Sequence, residues 1–370
     1  MNSEELFHLL ALLQVDGVGD IVAKKLINHC GSAENIFKAK GNHLKSIDGI
    51  GAILIQKLKD KTVFEKAEQE LHFIEKEKIK VLYFQNENYP ERLKQCIDAP
   101  VLLFSTGNIN LENRKVISIV GTRQITSYGT EFCKKLIEDL ALFNPIIVSG
   151  FAYGVDIVAH QAAIDYQLQT IGVLAHGLNQ IYPKTHKKYI SKMESNGGFL
   201  TEFWSNSNPE KENFVRRNRI VAGMCEATIV IESAEKGGSL ITATMANDYN
   251  RDVFAVPGRT TDKYSQGCNN LIKTQRANVL TSAADLVYML NWEMQSEAKK
   301  DNKVIQKQLF ITLDENEKII YDYLQKNGKQ LLDIIALECQ FPIFRISSLL
   351  LNMELKGVVR PLPGKLFEAV

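Results

Sequence analysis

Charge of one sign is what this chain has least of. Its 44 Lys+Arg against 43 Asp+Glu leave a net charge of +1 at pH 7. That balance argues against a protein that coats nucleic acid through overall charge, so any contact with a polyanion has to be local. Cysteine is sparse and scattered: Cys30, Cys96, Cys133, Cys225, Cys268 and Cys339 form no CxxC pair and have no His-rich segment beside them. Neither a zinc site nor a disulfide framework is expected, and no metal or cofactor. No run of about 18 apolar residues occurs, and the start MNSEELFHLLALL carries acids where a secretory leader needs bases. The expectation is a soluble, reduced, cytoplasmic protein without membrane contact. The GxGxxG fingerprint is missing, as is any Ser/His/Asp set or paired carboxylates at useful spacing. No catalytic residue is therefore assigned, and a non-enzyme is expected.

What is present falls into segments. With 45% hydrophobic residues among 370, two or three domains are expected. Up to about residue 80 the pattern is helical and repeats itself: VDGVGDIVAKKL carries Gly17 and Gly19 before Ile21, Val22 and Leu26, and IDGIGAILIQKL carries Gly49 and Gly51 before Ile53, Leu54 and Leu58. Each copy reads as a tight glycine hairpin between two short helices, the helix-hairpin-helix pattern. These four glycines either contact duplex phosphates or form a purely structural tandem.

Beyond Pro100 the period changes. The apolar runs at 116–120, 145–150, 170–175, 199–203, 227–232 and 252–258 end in glycine or a polar turn, and amphipathic stretches such as TEFCKKLIEDLALF lie between most of them. Short buried strands alternating with helices predict an α/β fold, an extended Rossmann-like, doubly wound parallel sheet. The expected boundaries are a helical domain at 1–80, the sheet domain at 81–291, a polar linker at 292–309 and a winged-helix domain at 310–370. The last rests on three candidate helices and a hairpin turning at Pro363-Gly364.

In such sheets ligands sit outside the carboxyl ends of the strands, where helix N-termini present free N–H groups to anions. Gly121 and Arg123 follow the first of these strands: either a backbone approach to phosphate with a charged fork beside it, or a turn and a surface residue. SGFAYGVDIVAH sets Gly150 and Gly154 around Phe151 and Tyr153, an aromatic cradle or simply core. Asp156 and His160, one helical turn apart, read better as support for that helix than as an acid/base pair. LAHGLNQIYPKTHKK offers Lys184 as a phosphate contact or as part of a solvated lysine cluster. The strongest local feature is NFVRRNRIVAG, which puts Phe214, Arg216, Arg217, Asn218 and Arg219 within six residues. Cations beside an aromatic suit single-strand binding; the plainer reading pairs them with acids such as Glu210 and Glu212. Gly237, Gly238 and Ser239 open a further helix after Glu232, a second anion-accepting start.

Taken together, VGTR (120–123), SYG (127–129), SGFAYGVD (149–156), VLAHGL with IYPK (173–184), TEF (201–203), RRNRIVAG (216–223), GGSLIT (237–242), RDVFAVPG (251–258) and GCNNLI (267–272) resemble, in order, the DprA/Smf family of DNA-processing proteins. The resemblance implies a single-stranded-DNA pocket, dimerisation through the sheet domain and delivery of DNA to the RecA recombinase. The pocket it implies comprises Arg123, Lys184, Phe214, Arg217, Asn218 and Arg219, with backbone help from Gly121, Gly150, Gly238 and Ser239. Binding of this kind is sequence-tolerant and salt-sensitive. Two rivals remain: a Rossmann-like nucleotide phosphoribohydrolase, whose PGGxGTxxE block is matched only partly by residues 236–242, and a helix-hairpin-helix protein acting on duplex or branched DNA. With only Arg345, Lys356, Arg360 and Lys365 as cations, the winged-helix segment gives thin support for groove binding.

Overall fold

The computed structural model describes residues 1–112, 114–293, 313–362 and 365–369, and the chain divides into two compact units, Met1–Met294 and Gln295–Val370. Most of the expected polar linker, and the Pro363-Gly364 turn, lie outside the described residues.

The first unit begins with α1 (Ser3–Leu13), α2 (Asp20–Cys30), α3 (Ala33–Lys38), α4 (Gly41–Lys45), α5 (Ala52–Lys57) and α6 (Thr62–Lys76). Asn2 starts α1 by accepting the Glu5 N–H at 2.8 Å. Gly17 and Gly49 take φ of 87° and 83°, left-handed conformations that let the chain reverse ahead of α2 and α5. The two hairpins lock reciprocally: Lys57 of α5 pairs with Asp16 of the first hairpin at 2.5 Å, and Lys25 of α2 with Asp48 of the second at 3.8 Å. Leu10, Leu26, Ile27 and Ile55 are buried between the helices, while Ile21 and Ile53 face outward.

The sheet contains β1 (Lys80–Tyr83), β2 (Leu102–Gly107), β3 (Val116–Val120), β4 (Ile146–Ser149), β5 (Thr170–Val173), β6 (Gly197–Thr201), β7 (Ala227–Val230), β8 (Asp252–Ala255) and β9 (Asn278–Val279). Its order is β1-β2-β6-β5-β4-β3-β7-β8-β9. From β6 to β9 every pairing is parallel. The sequence runs forecast this part well, because strands covered on both faces are apolar throughout: all five residues of β3 and all four of β4 are buried. One edge differs. β1 and β2 form an antiparallel pair, and β2 joins β6 antiparallel. Tyr83, Val101, Leu102 and Phe104 of this edge share a core with α1, α2 and α6, so the helical segment is seated on the sheet rather than tethered to it.

The connecting helices are α7 (Glu91–Lys94), α8 (Ser127–Leu140), α9 (Val155–Asp165), α10 (Ile190–Ser195), α11 (Lys211–Gly223), α12 (Gly238–Asp248), α13 (Gln266–Lys273) and α14 (Ala283–Met289). As its spacing predicts, α8 buries Leu136 and Leu140 against Ile117, Ile119 and Phe254 of the sheet.

The second unit holds α15 (Glu315–Asn327), β10 (Gln330–Leu331), α16 (Leu332–Glu338), α17 (Ile343–Leu355), β11 (Val359–Leu362) and β12 (Leu366–Ala369). Asp314 and Glu317 form a capping box on α15, and Ile320, Leu324, Ile335, Ile346, Leu350 and Met353 make the core under a three-stranded sheet. This is a winged helix. Among the described residues no single helix is long and apolar enough to cross a membrane.

Candidate nucleic-acid interface

Strand order reverses at β3, which has β4 on one side and β7 on the other. A doubly wound sheet opens its crevice there, in front of the helix that follows β3. Here the chain fills that place itself. Glu232, buried at the end of β7, accepts the backbone N–H of Thr126 at 2.8 Å and its hydroxyl at 2.5 Å, just where α8 begins. The α8 N-terminus already holds an anion, which leaves the β3-β4-β5 side as the open edge.

That side is organised by α11, whose residues alternate between two surroundings. Phe214, Arg217 and Asn218, at helical spacing, face the strand ends. Arg217 is only 4% exposed. Its Nη1 donates to the carbonyls of Gly150 (2.6 Å) and Val173, and its Nε to Asn218 Oδ1 at 3.1 Å. A Cβ on Gly150 would stand 2.5–2.6 Å from the guanidinium, so only glycine admits the arginine there. Burial draws the Arg217 pKa down to about 10, opposed by the nearby Asp156 carboxylate. Asp156 in turn accepts the N–H groups of Gly150 (3.1 Å) and Ala152 (3.3 Å); burial raises its pKa, with Arg217 and these N–H groups pulling it back. Arg217 is thus a tie between β4, β5 and α11 at the floor of the edge.

Above this floor sits an exposed cation–aromatic group. The Arg123 guanidinium stacks 5.1 Å from the Phe214 ring centroid, and Tyr182, 40% exposed, meets the same ring edge-on at 5.9 Å. Lys184 follows in the same loop and is exposed. Lys211, also exposed, precedes Phe214 by one helical turn. The two aromatics of SGFAYG have separate fates. Phe151 is core, held at φ +58° under His160, His186 and Phe199, whereas Tyr153 is 43% exposed beside His186. His160 is fully buried on the Thr170 hydroxyl at 2.7 Å, and burial drives its pKa down to about 3. Such a ring stays neutral and serves packing, in line with the supporting role read from sequence for it and Asp156.

Arg219 does not join this group. With Arg216 it lies on the other face of α11, where both guanidiniums pair with Glu202 and with Asp20 of α2, Arg219 at 3.1 Å and Arg216 at 3.6 Å from Asp20. The expected pocket residue is instead a link between the sheet and the helical segment. Its counter-ions are Glu202 and Asp20 rather than the sequence neighbours Glu210 and Glu212, because this face of α11 packs against the seam where those two carboxylates stand. Gly121 lies against the neighbouring strand: a Cβ there would come 2.9 Å from the Glu232 carbonyl. Gly238 and Ser239 start α12 beyond β7; Ser239 donates to Ser233 Oγ at 3.0 Å, and Gly238 faces open space. At the hairpins Gly19 and Gly51 are also unobstructed, next to the exposed acids Asp16 and Asp48. Tyr153 was read from the sequence together with Phe151 as an aromatic cradle or core, and the structure divides that pair. Tyr182 escaped assignment because a lone aromatic in a polar loop gives no sign of the ring it meets, whereas Lys211 was legible from its helical spacing to Phe214.

Fold and edge together define an extended Rossmann-like α/β protein with a winged helix, whose open strand ends present arginine, lysine and aromatic side chains. The family model for DNA recombination-mediator protein A matches residues 80–291, and the DprA winged-helix model matches 311–365. The chain belongs to the DprA/Smf family. It is 34% identical to protein Smf of Synechocystis over 293 residues, 78% of this chain and 73% of that protein. With DNA processing protein DprA of Streptococcus pneumoniae it shares 39% over 199 residues, 54% of this chain and 70% of that one. The crystal structure of the pneumococcal protein superposes with a TM-score of 0.64 at 30% identity, covering 79% of this chain and 99% of that one. A Helicobacter pylori DNA processing protein A structure, solved to describe a single-stranded-DNA binding mode, superposes with a TM-score of 0.53 at 29% identity, covering 58% and 97%.

Proposed function

We propose that this protein is a non-enzymatic recombination mediator that binds single-stranded DNA at the β3-β4-β5 edge, protects it, and loads RecA onto it in natural transformation and recombination. The observation that carries the reading is the exposed stack of Arg123 on Phe214, with Tyr182, Lys184 and Lys211 around it. A guanidinium and flat rings at one solvent-facing edge receive phosphate and base together without reading sequence. Asn218, Gly150 and Arg217 hold that edge in shape, and the N-terminus of α12 at Gly238 and Ser239 offers backbone N–H groups to a further phosphate. Membership of the family and the single-strand binding of the Helicobacter pylori relative support the assignment. A homodimer through the sheet domain, in the cytoplasm, completes the proposal. The duplex-binding alternative is less well supported, since each hairpin sets a carboxylate beside its glycines.

Fluorescence anisotropy of labelled oligo-dT and its duplex, across a salt series, tests it. Wild type should prefer the single strand. Arg123→Ala, an exposed change, should weaken that binding about tenfold and lower the salt slope by about one. Duplex binding equal to single-strand binding and indifferent to Arg123→Ala would sink the reading.

A further inference from the structure

The far face of α11 borders a second concavity. A cleft of about 410 Å³ opens between the first hairpin with α2 and the sheet edge. That lies within the range of about 300–1,000 Å³ typical of small-molecule sites. Its apolar walls include Val18, Leu102, Phe104 and Trp204, the last two rings 6.0 Å apart. Its polar lining is Asp20, Asp98, Glu202, Arg216 and Arg219. We propose that this cleft is a subsite for a guanine base. The proposal rests on the single-strand reading above, for the cleft and the Arg123–Phe214 edge are separated by one helix, about 10 Å across.

The chemistry on the walls selects the ring. Glu202 is nearly inaccessible, its side chain 2% exposed, and one of its carboxylate oxygens takes both Arg216 and Arg219. The other, Oε1, is buried with no hydrogen-bond partner. Buried acceptors are normally satisfied, and an unmet one on a residue lining a cleft takes a ligand's donor once the side chain turns toward it. Arg216, 53% exposed, keeps guanidinium surface free at the mouth, lying over Phe203 at 5.4 Å. A carboxylate acceptor beside an arginine fork complements guanine, which carries N1–H and N2–H₂ donors next to each other and the O6 and N7 acceptors for arginine. The other bases offer that edge a single donor group: an amino group beside a ring-nitrogen acceptor in adenine and cytosine, and one N3–H between two carbonyls in thymine. Trp204, partly exposed with Phe104 packed behind it, supplies the aromatic face a base needs.

The chain has two tryptophans, so Trp292→Phe leaves Trp204 as the sole reporter inside the cleft. Its emission is titrated with oligo-dT holding one central dG, with the dA counterpart, and with free deoxyguanosine monophosphate. The dG oligonucleotide should change Trp204 emission and bind about tenfold more tightly than the dA one. Glu202→Gln should erase that preference while oligo-dT affinity stays. Should Glu202→Gln fail to fold, Ile21→Tyr, which narrows the mouth without touching the ion cluster, should erase it too. A response to the free nucleotide equal to that of the oligonucleotide identifies a mononucleotide as the source of the guanine; a response to the oligonucleotide alone identifies the strand. Identical dG and dA titrations, with oligo-dT bound and the free nucleotide silent, overturn the cleft and leave the single-strand reading standing. Failure of all oligonucleotides to bind overturns that reading instead, and the free nucleotide then decides the cleft by itself.

Discussion

The two faces of α11 take the same ingredients to opposite ends. On one, Arg217 is buried among the carbonyls of Gly150 and Val173, and its neighbour Phe214 lies under the exposed Arg123. On the other, Arg216 and Arg219 are neutralised by Glu202 and Asp20 across the seam with the helical segment. Four consecutive residues, Arg216 to Arg219, thus contribute a structural tie, a positioning amide and half of an ion cluster. The cation best placed to meet a ligand, Arg123, comes from another loop. Density of charge in a sequence is no measure of charge available to a partner: what is left over after internal pairing is.

Arg217→Ala removes the tie on which one face of α11 depends. That change leaves two carbonyls at the strand ends without their donor and a fully buried Asp156 without its nearby cation, and should cost about 4 kcal/mol of stability. Thermal or denaturant unfolding would register it directly. Single-strand affinity measured well below the melting temperature should fall far less than the stability loss suggests. A variant as stable as wild type but unable to bind would return Arg217 to the interface as a contact.

Arg219→Ala should cost less, about 2 kcal/mol, since Arg216 remains to face Glu202 and Asp20. Removing both charges in Arg219→Ala/Glu202→Ala should recover part of the loss, because the buried carboxylate no longer stands under-paired. Unfolding of the two singles and the double gives the coupling. Oligo-dT affinity should be the same in all of them, which is the sharpest separation of the two faces. A drop in affinity with Arg219→Ala, at unchanged structure, would join the faces into one site.

How far the sequence could reach follows from these cases. The β3 to β8 strands were legible because parallel strands covered on both sides are apolar runs closed by turn residues, and the glycine hairpins because they repeat. The β1-β2 edge was not: KVLY and LLFSTG are short, and their antiparallel pairing depends on the helical segment that packs on one face. At the site, helical periodicity applied to NFVRRNRIVAG would have separated Phe214, Arg217 and Asn218 from Arg216 and Arg219. It could not have shown that Gly150 is a glycine to admit Arg217, since that contact joins residues 67 positions apart.

The smallest effect tests the outlying part of the proposed edge. Gly238 opens α12, and a Cβ there would meet nothing within 4 Å. Gly238→Ala should therefore leave stability unchanged or raise it by about 0.5 kcal/mol, since alanine loses less backbone entropy in a helix. If a phosphate of the strand rests on the α12 N–H groups, the added methyl crowds it and affinity for oligo-dT should fall about threefold without a change in melting temperature. Anisotropy and thermal unfolding on the same preparation separate the two effects. Unaltered affinity would confine the strand to the β3-β4-β5 side, where Arg123 and Phe214 would have to hold it without help from α12.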